Sequence, residues 1–439
     1  MKTIFSKWFR TTVPFESFEA KISSRDYRGK NRRNRFFNIR CNISYYILLA
    51  LLLLYLAHQI FMLAADYIFP PSTNFKFRIY EITVLDLEEK AKSICGDIEF
   101  LKNSRLAQIA KENARNFSKC DYCEKIRTDP GSNSTENDAA FAYLMGNKTL
   151  NILNWVRTLR SSSCRCSIIF IVTQQIYETH HKSVWGDLQN CGVTIHIVPY
   201  NNMAFFSDIR MCRKVIEYVF AAFLAPYFDR IMFSDVFDTI FQKDPFQRDV
   251  PRDKVALSIE RVTYQHQIWE RIFMQETFSY DFGQKLFNYN KFVINSGFTL
   301  GKPELIERFY YLMVTSGRFF QPKVLDQTFF NYIIYTKQFT QIWVDFNATY
   351  YASACYSVYE LEPRADSYMY DWDTKTAPAV IHQMDRICPL TNHIYKTCPA
   401  HNKYYNSEYR KSYEHQRCNA LFNPNDRSYL DSRNATIDF

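Results

Sequence analysis

Apolar and polar positions change their spacing several times along the chain. AAFAYLMG (139–146), SIIFIVTQ (167–174), VTIHIVPY (193–200), RIMFSD (230–235) and VALSIE (255–260) are short runs rich in strand-forming residues. Between the first two, Leu150, Leu153, Val156 and Leu159 recur at helical spacing, and residues 209–225 read as a further helix ending before Pro226. Alternating strands and helices predict an α/β fold with a mostly parallel sheet flanked by helices. Such sheets bind ligands at the carboxyl ends of their strands, and Asp235 stands at one of those ends.

A different pattern precedes this region. From Ile43 to Ala65 there is no Asp, Glu, Lys or Arg, and a helix of that length spans a bilayer core of about 30 Å. The run is too long, and the region before it too extended, for a cleaved signal peptide. Arg28, Lys30, Arg32, Arg33, Arg35 and Arg40 lie on one flank, with Asp66 and Pro70–Pro71 on the other. The positive-inside rule makes residues 1–42 a cytoplasmic basic tail, 43–65 a transmembrane helix and the remainder luminal or extracellular, a type II arrangement. Charge follows the same division. Of the net +9, residues 1–40 supply 11 Lys+Arg against 3 Asp+Glu, and the rest is nearly balanced at 43 against 42. A near-neutral body offers no basic groove for nucleic acid.

Sequons at Asn116, Asn133, Asn147, Asn347 and Asn434 all fall beyond the span, and Asn42 heads another at its edge. Eleven of the 12 cysteines also lie past it, where disulfides persist. Disulfides suit Cys120 and Cys123 better than a zinc or redox motif. The odd number leaves at least one thiol free or available to link two copies of the chain. Residues 66–138 read as a luminal stem, with a charged helix over 85–114 and a turn-rich linker, DPGSNSTEND (129–138). Residues 391–439, rich in Cys and Tyr, read as a disulfide-tied extension.

The chemistry gathers at IMFSDVFDTIFQKDPF (231–246), where Asp235, Asp238 and Asp244 sit among apolar residues. Carboxylates in such surroundings cost several kcal/mol unless paired. No GxGxxG or GxxxxGK[ST] occurs, and with 10 glycines the chain has little from which to build a phosphate-cradling loop. A divalent cation held by carboxylates neutralises a diphosphate instead. Asp235 and Asp238 are its candidate ligands, unless one caps a helix and the other pairs with Arg230 or Arg248. Asp244, next to Pro245, suits a chain reversal.

RIMFSDVFDTIFQKDPF resembles the acidic signature of GT-A nucleotide-sugar glycosyltransferases, with Phe237 where a plain DxD has its second acid and Asp238 one place later. KFVINSGFTLGK (291–302) is similar to their N-[AST]-G strand, VLDQTFFNYIIY (324–335) to the D-Q-x-x-x-N helix of glycogenin-like enzymes, and AVIHQMD (379–385) to their C-terminal His strand. The resemblance covers roughly residues 139–390. It implies a Rossmann-like GT-A catalytic domain with Mn²⁺ (or Mg²⁺) held by Asp235, Asp238 and His382. Asn295, Ser296, Gly297 and Gln327 would contact the sugar nucleotide and Asp326 would act at the reacting sugar. Arg213, with Arg210 and Lys214 as competitors, would meet the diphosphate, and Arg386 is a further phosphate contact.

Together these features lead us to expect a type II Golgi membrane glycosyltransferase. It would move sugar from a nucleotide diphosphate sugar donor to a glycan, glycoprotein or glycolipid acceptor. The competing expectations are an inactive transferase-like binding protein and a Ca²⁺-binding type II lectin or receptor. Strand–helix alternation argues against the all-β build more usual in a lectin.

Overall fold

A computed structural model describes residues 104–123, 131–144, 152–179, 182–198, 209–316, 325–354, 361–364, 368–371 and 374–384, with Glu89 and Cys398. The chain divides into compact units Met1–Phe77 and Arg78–Phe439, and every described residue belongs to the second. Among the described residues no helix is long and apolar enough to cross a membrane. The span expected at 43–65 lies outside them.

The main sheet has seven strands: β1 (Asp138–Leu144), β2 (Ser167–Thr173), β3 (Val193–Val198), β4 (Arg230–Ser234), β6 (Val255–Thr263), β7 (Phe292–Gly301) and β8 (Ile342–Asp345). Their order is β3-β2-β1-β4-β7-β6-β8. All run parallel except β7, which is antiparallel to both β4 and β6. This is the mostly parallel α/β arrangement that the alternation predicts.

Strand periodicity explains why both faces are covered. Along β1 and β2, Ala139, Phe141, Ile169 and Ile171 enter one core, while Ala140, Ala142, Ile168 and Phe170 enter the other. The first core is closed by α1 (Arg105–Asn116), α5 (Ile209–Leu224), α8 (Pro303–Val314) and α9 (Asp326–Tyr335). The second is closed by α2 (Ile152–Ser161) and α4 (Lys182–Asn190), with α3 (Gln174–Thr179) following β2. Two more helices, α6 (Ile268–Thr277) and α7 (Tyr280–Asn288), lie between β6 and β7.

Part of the expected stem belongs to this body. Leu106, Ala107 and Ala110 of α1 are buried in the first core, and the Cys120–Cys191 disulfide ties the segment after α1 to the end of α4. Nor is the described end of the 129–138 linker loose. Asp244 Oδ2 accepts from Ser132 Oγ at 2.7 Å, Asn133 N at 3.2 Å and Ser134 N at 3.0 Å. Its other oxygen accepts from Phe246 N at 3.0 Å, the chain reversal expected there. Arg230 pairs with Asp138 at 2.7 Å, not with Asp235 or Asp238.

A three-stranded sheet packs beside the main one: β5 (Ile240–Phe241), β12 (Val380–His382) and β9 (Tyr351–Ser353), in the order β5-β12-β9. β10 (Leu361–Pro363) and β11 (Met369–Asp371) form a separate hairpin. Gln242 joins these parts, because its amide donates to Met369 O and Pro378 O and accepts from Met369 N. Cys123–Cys398 links the start of the body to the C-terminal extension. Cys164 and Cys166 are free thiols, but both are buried and do not offer a link between copies.

Candidate active site and metal centre

β4 ends at Ser234, and Asp235 follows at its carboxyl edge. Asp235 N donates to Gly297 O at 2.9 Å, which extends the β4–β7 pairing by one step. Five residues on, at Ile240, β5 begins, and β12 lies antiparallel to it with Val380 opposite Phe241 and Ile381 opposite Ile240. That register carries the next residue of β12, His382, to Asp238. Met384 N then donates to Asp238 O at 3.0 Å, fixing the loop from the other side.

His382 Nε2 lies 3.2 Å from Asp235 Oδ2 and 3.4 Å from Asp238 Oδ1. One ligand atom from each residue falls within 4.8 Å of the others. Two carboxylates and an imidazole form an oxygen-and-nitrogen donor set that could hold a metal ion. Gly297 makes the convergence sterically possible. A Cβ there would stand 2.6 Å from His382 Nε2 and 2.9 Å from Asp235 Oδ2. His382 Nδ1 is buried and has no hydrogen-bond partner among the described residues. The donor set and the glycine cradle therefore fit a metal ion.

A polar cleft of about 280 Å³ opens from this group, and Asp235, His382, Asn295, Ser296, Gly297, Asp326, Gln327, Arg210 and Arg213 all line it. Asp326 opens α9. Its Oδ2 accepts from Ser296 Oγ at 3.1 Å and Arg213 Nη2 at 3.1 Å. The same guanidinium bonds Asp235 Oδ1 through Nη1. Arg213 thus bridges the metal-ligand and Asp326 carboxylates. Burial opposes its charge, but Glu217 and Asp326 outweigh that and hold its pKa above the usual value.

Further along the cleft, Gln327 Oε1 accepts from Ser296 N at 3.2 Å, and its Nε2 donates to Glu260 Oε1 at 3.1 Å and Glu270 Oε1 at 3.0 Å. Asn295 donates to the same Glu260 oxygen at 3.1 Å, and its Oδ1 accepts from Gly297 N. Asn331, one helical turn beyond Gln327, takes both backbone groups of Ile294 at 2.8 Å each. The helix thereby clamps β7 immediately before the Asn295–Gly297 segment.

All nine residues expected in the chemistry lie in this one region: Asp235, Asp238, His382, Asn295, Ser296, Gly297, Gln327, Asp326 and Arg213. The two competitors of Arg213 part ways. Arg210 is exposed on the cleft. Lys214 is buried beneath it, with Nζ donating to Glu217 Oε2 at 2.8 Å and Ser296 O at 3.0 Å, and supports β7 instead of facing ligand. Arg386 lies outside the described residues, as do Asn147 and Asn434. Asn116 and Asn347 are exposed; Asn133 is half-buried, with its backbone held by Asp244 and Arg230.

Two carboxyls escaped the sequence reading. Glu260 closes the VALSIE run, so its place at a strand end was available as a signal. Its aim depends on the irregular β6–β7 register between Ile259 and Thr263, a feature that re-directs side chains near sites. Glu270 carried no signal, since it is an ordinary first-turn acid of α6. Its burial, then the charge of Glu260, push its carboxyl up to about 8 against the pull of the Gln327 hydrogen bond. A scan against protein-family models matched none, and a search of curated proteins found no match.

Proposed function

We propose that the chain is a metal-dependent glycosyltransferase of GT-A type, anchored as a type II protein in the Golgi membrane. It would transfer a sugar from a nucleotide diphosphate sugar to a glycan, glycoprotein or glycolipid acceptor. The observation that supports this best is the meeting of Asp235, Asp238 and His382 beside the Asn295–Gly297 segment and Asp326. A bound Mn²⁺ or Mg²⁺ would supply Lewis acidity and charge neutralisation for a departing diphosphate.

The chain's own residues have distinct work. Arg210 and Arg213 offer positive charge to phosphate oxygens, and for Arg213 this means exchanging a carboxylate partner for a phosphate. Asn295 is already committed to Glu260 and Gly297, so it shapes the strand, leaving Ser296 and Asp326 for sugar hydroxyls. Asp326, next to Arg213, is positioned to stabilise positive charge at the anomeric carbon or to orient an attacking hydroxyl.

One observation favours a second reading, a transferase-like binding protein without metal. Arg213 already pairs with Asp235, and His382 is in contact with its other oxygen. The test is thermal unfolding of the full-length chain, purified in mild detergent from a secretory host, with nucleotide sugars and Mn²⁺. Stabilisation by one sugar nucleotide that requires Mn²⁺, and is lost in Asp235→Asn, supports the transferase. A metal-independent response supports the binding protein. No response to any donor, or a response to Ca²⁺ alone, sinks both.

A further inference from the structure

Trp269, in the first turn of α6, is 68% exposed, yet it lines the polar cleft. An indole left in water in a cleft whose lining is mostly polar is a poor arrangement for the free protein. Glu270 beside it is buried and lines the same cleft; Gln327 holds Oε1, whereas Oε2 is buried with no hydrogen-bond partner among the described residues. An unpaired buried carboxyl oxygen is costly to leave so. One flat apolar plate and one unsatisfied polar group, side by side, match a pyranose ring. Such a ring presents C–H bonds on its face and hydroxyls at its edge. An anionic ligand is disfavoured beside Glu270, because Glu260 and Asp326 outnumber Arg210 there. Position selects the acceptor over the donor. Contacts run from Asp235 through Arg213 to Asp326, from Asp326 through Ser296 to Gln327, and from Gln327 to Glu270. Glu270, the sequence neighbour of Trp269, is therefore at the end of that chain removed from the metal ligands.

We infer that Trp269 and Glu270 form the subsite for a neutral sugar ring of the acceptor, with the ring stacked on the indole and a hydroxyl bonded to Glu270. The inference rests on the glycosyltransferase reading. Full-length protein in detergent is titrated with lactose, cellobiose, mannobiose and chitobiose, with binding read by saturation-transfer NMR. Thermal stabilisation by UDP or GDP with Mn²⁺ is measured in parallel. At least one disaccharide should bind. Trp269→Ala should weaken it about ten-fold while Trp269→Phe keeps most of the affinity. Glu270→Leu should weaken it and Glu270→Gln, which keeps a hydrogen-bonding group, should not. The nucleotide–Mn²⁺ response should survive in every variant. Equal binding by Trp269→Ala, or no binding of any disaccharide by the native protein, overturns the subsite; a retained nucleotide–Mn²⁺ response would then leave the transferase reading standing. Disaccharide binding that depends on Trp269 but comes with no nucleotide–Mn²⁺ response removes the transferase reading and, with it, the acceptor assignment.

Discussion

His382 Nε2 stands 3.2 Å from Asp235 Oδ2 across 147 positions of sequence. A carboxylate so placed, with Asp238 beside it, gains most when a cation sits among the three. In Asp235→Asn the manganese concentration for half-maximal thermal stabilisation should rise on the order of a hundredfold. Chelator treatment should lower the melting temperature of the native protein and leave that of Asp235→Asn unchanged.

Gly297→Ala tests the cradle. The new methyl group would collide with His382 and Asp235, and neither can retreat without breaking the cluster. We expect about 1–3 kcal/mol of destabilisation in urea unfolding, together with loss of the Mn²⁺ response. Gly301→Ala, a site away from the metal ligands, should keep that response.

Glu270 predicts a pH dependence. Its folded-state pKa, about 8, lies above the ordinary 4.5, so the folded protein keeps a proton there that the unfolded chain releases. Its contribution to stability is therefore complete below about 4.5 and declines as pH rises to about 8. Glu270→Gln, which cannot ionise, should gain stability relative to the native protein as pH rises across that window, by roughly a few kcal/mol in total. Melting temperatures at matched ionic strength would show the two curves diverging; parallel curves would refute it.

Asn331→Ala should leave the N–H and C=O of Ile294 unpaired in a buried setting. The expected cost is about 2–4 kcal/mol. Hydrogen exchange should locate the added opening at Ile294, and the disaccharide and metal responses should both weaken as β7 loosens.

Asp244→Ala separates architecture from chemistry. It removes the acceptor for Ser132, Asn133 and Ser134, so proteolysis should start near residues 131–134 at lower temperature. The Mn²⁺ response should persist, since Asp244 does not touch the ligand cluster.

Much of the fold was legible because its signals are local. Every run read as a strand between 139 and 260 is one, and α5 ends within a residue of the position that Pro226 set. Both faces of β1 and β2 are buried, so these strands read as continuous apolar runs. The site residues were legible as residue types at the ends of such runs: acids after β4, Asn-Ser-Gly within β7, Asp-Gln at the start of α9.

Their mutual geometry was decided by tertiary structure alone. No local pattern states that β12 pairs with β5 in the register that carries His382 to Asp238, or that Arg213 spans Asp235 and Asp326. The part Glu260 and Glu270 play through Gln327 was hidden for the same reason, as was the packing of α1 into the body. A side chain's role at a site depends on which distant backbone lies across from it, and that is fixed by long-range strand pairing and core packing. The sequence by itself determined which segments could form strands and which carboxylates would need a partner; the folded chain determined which partners they met.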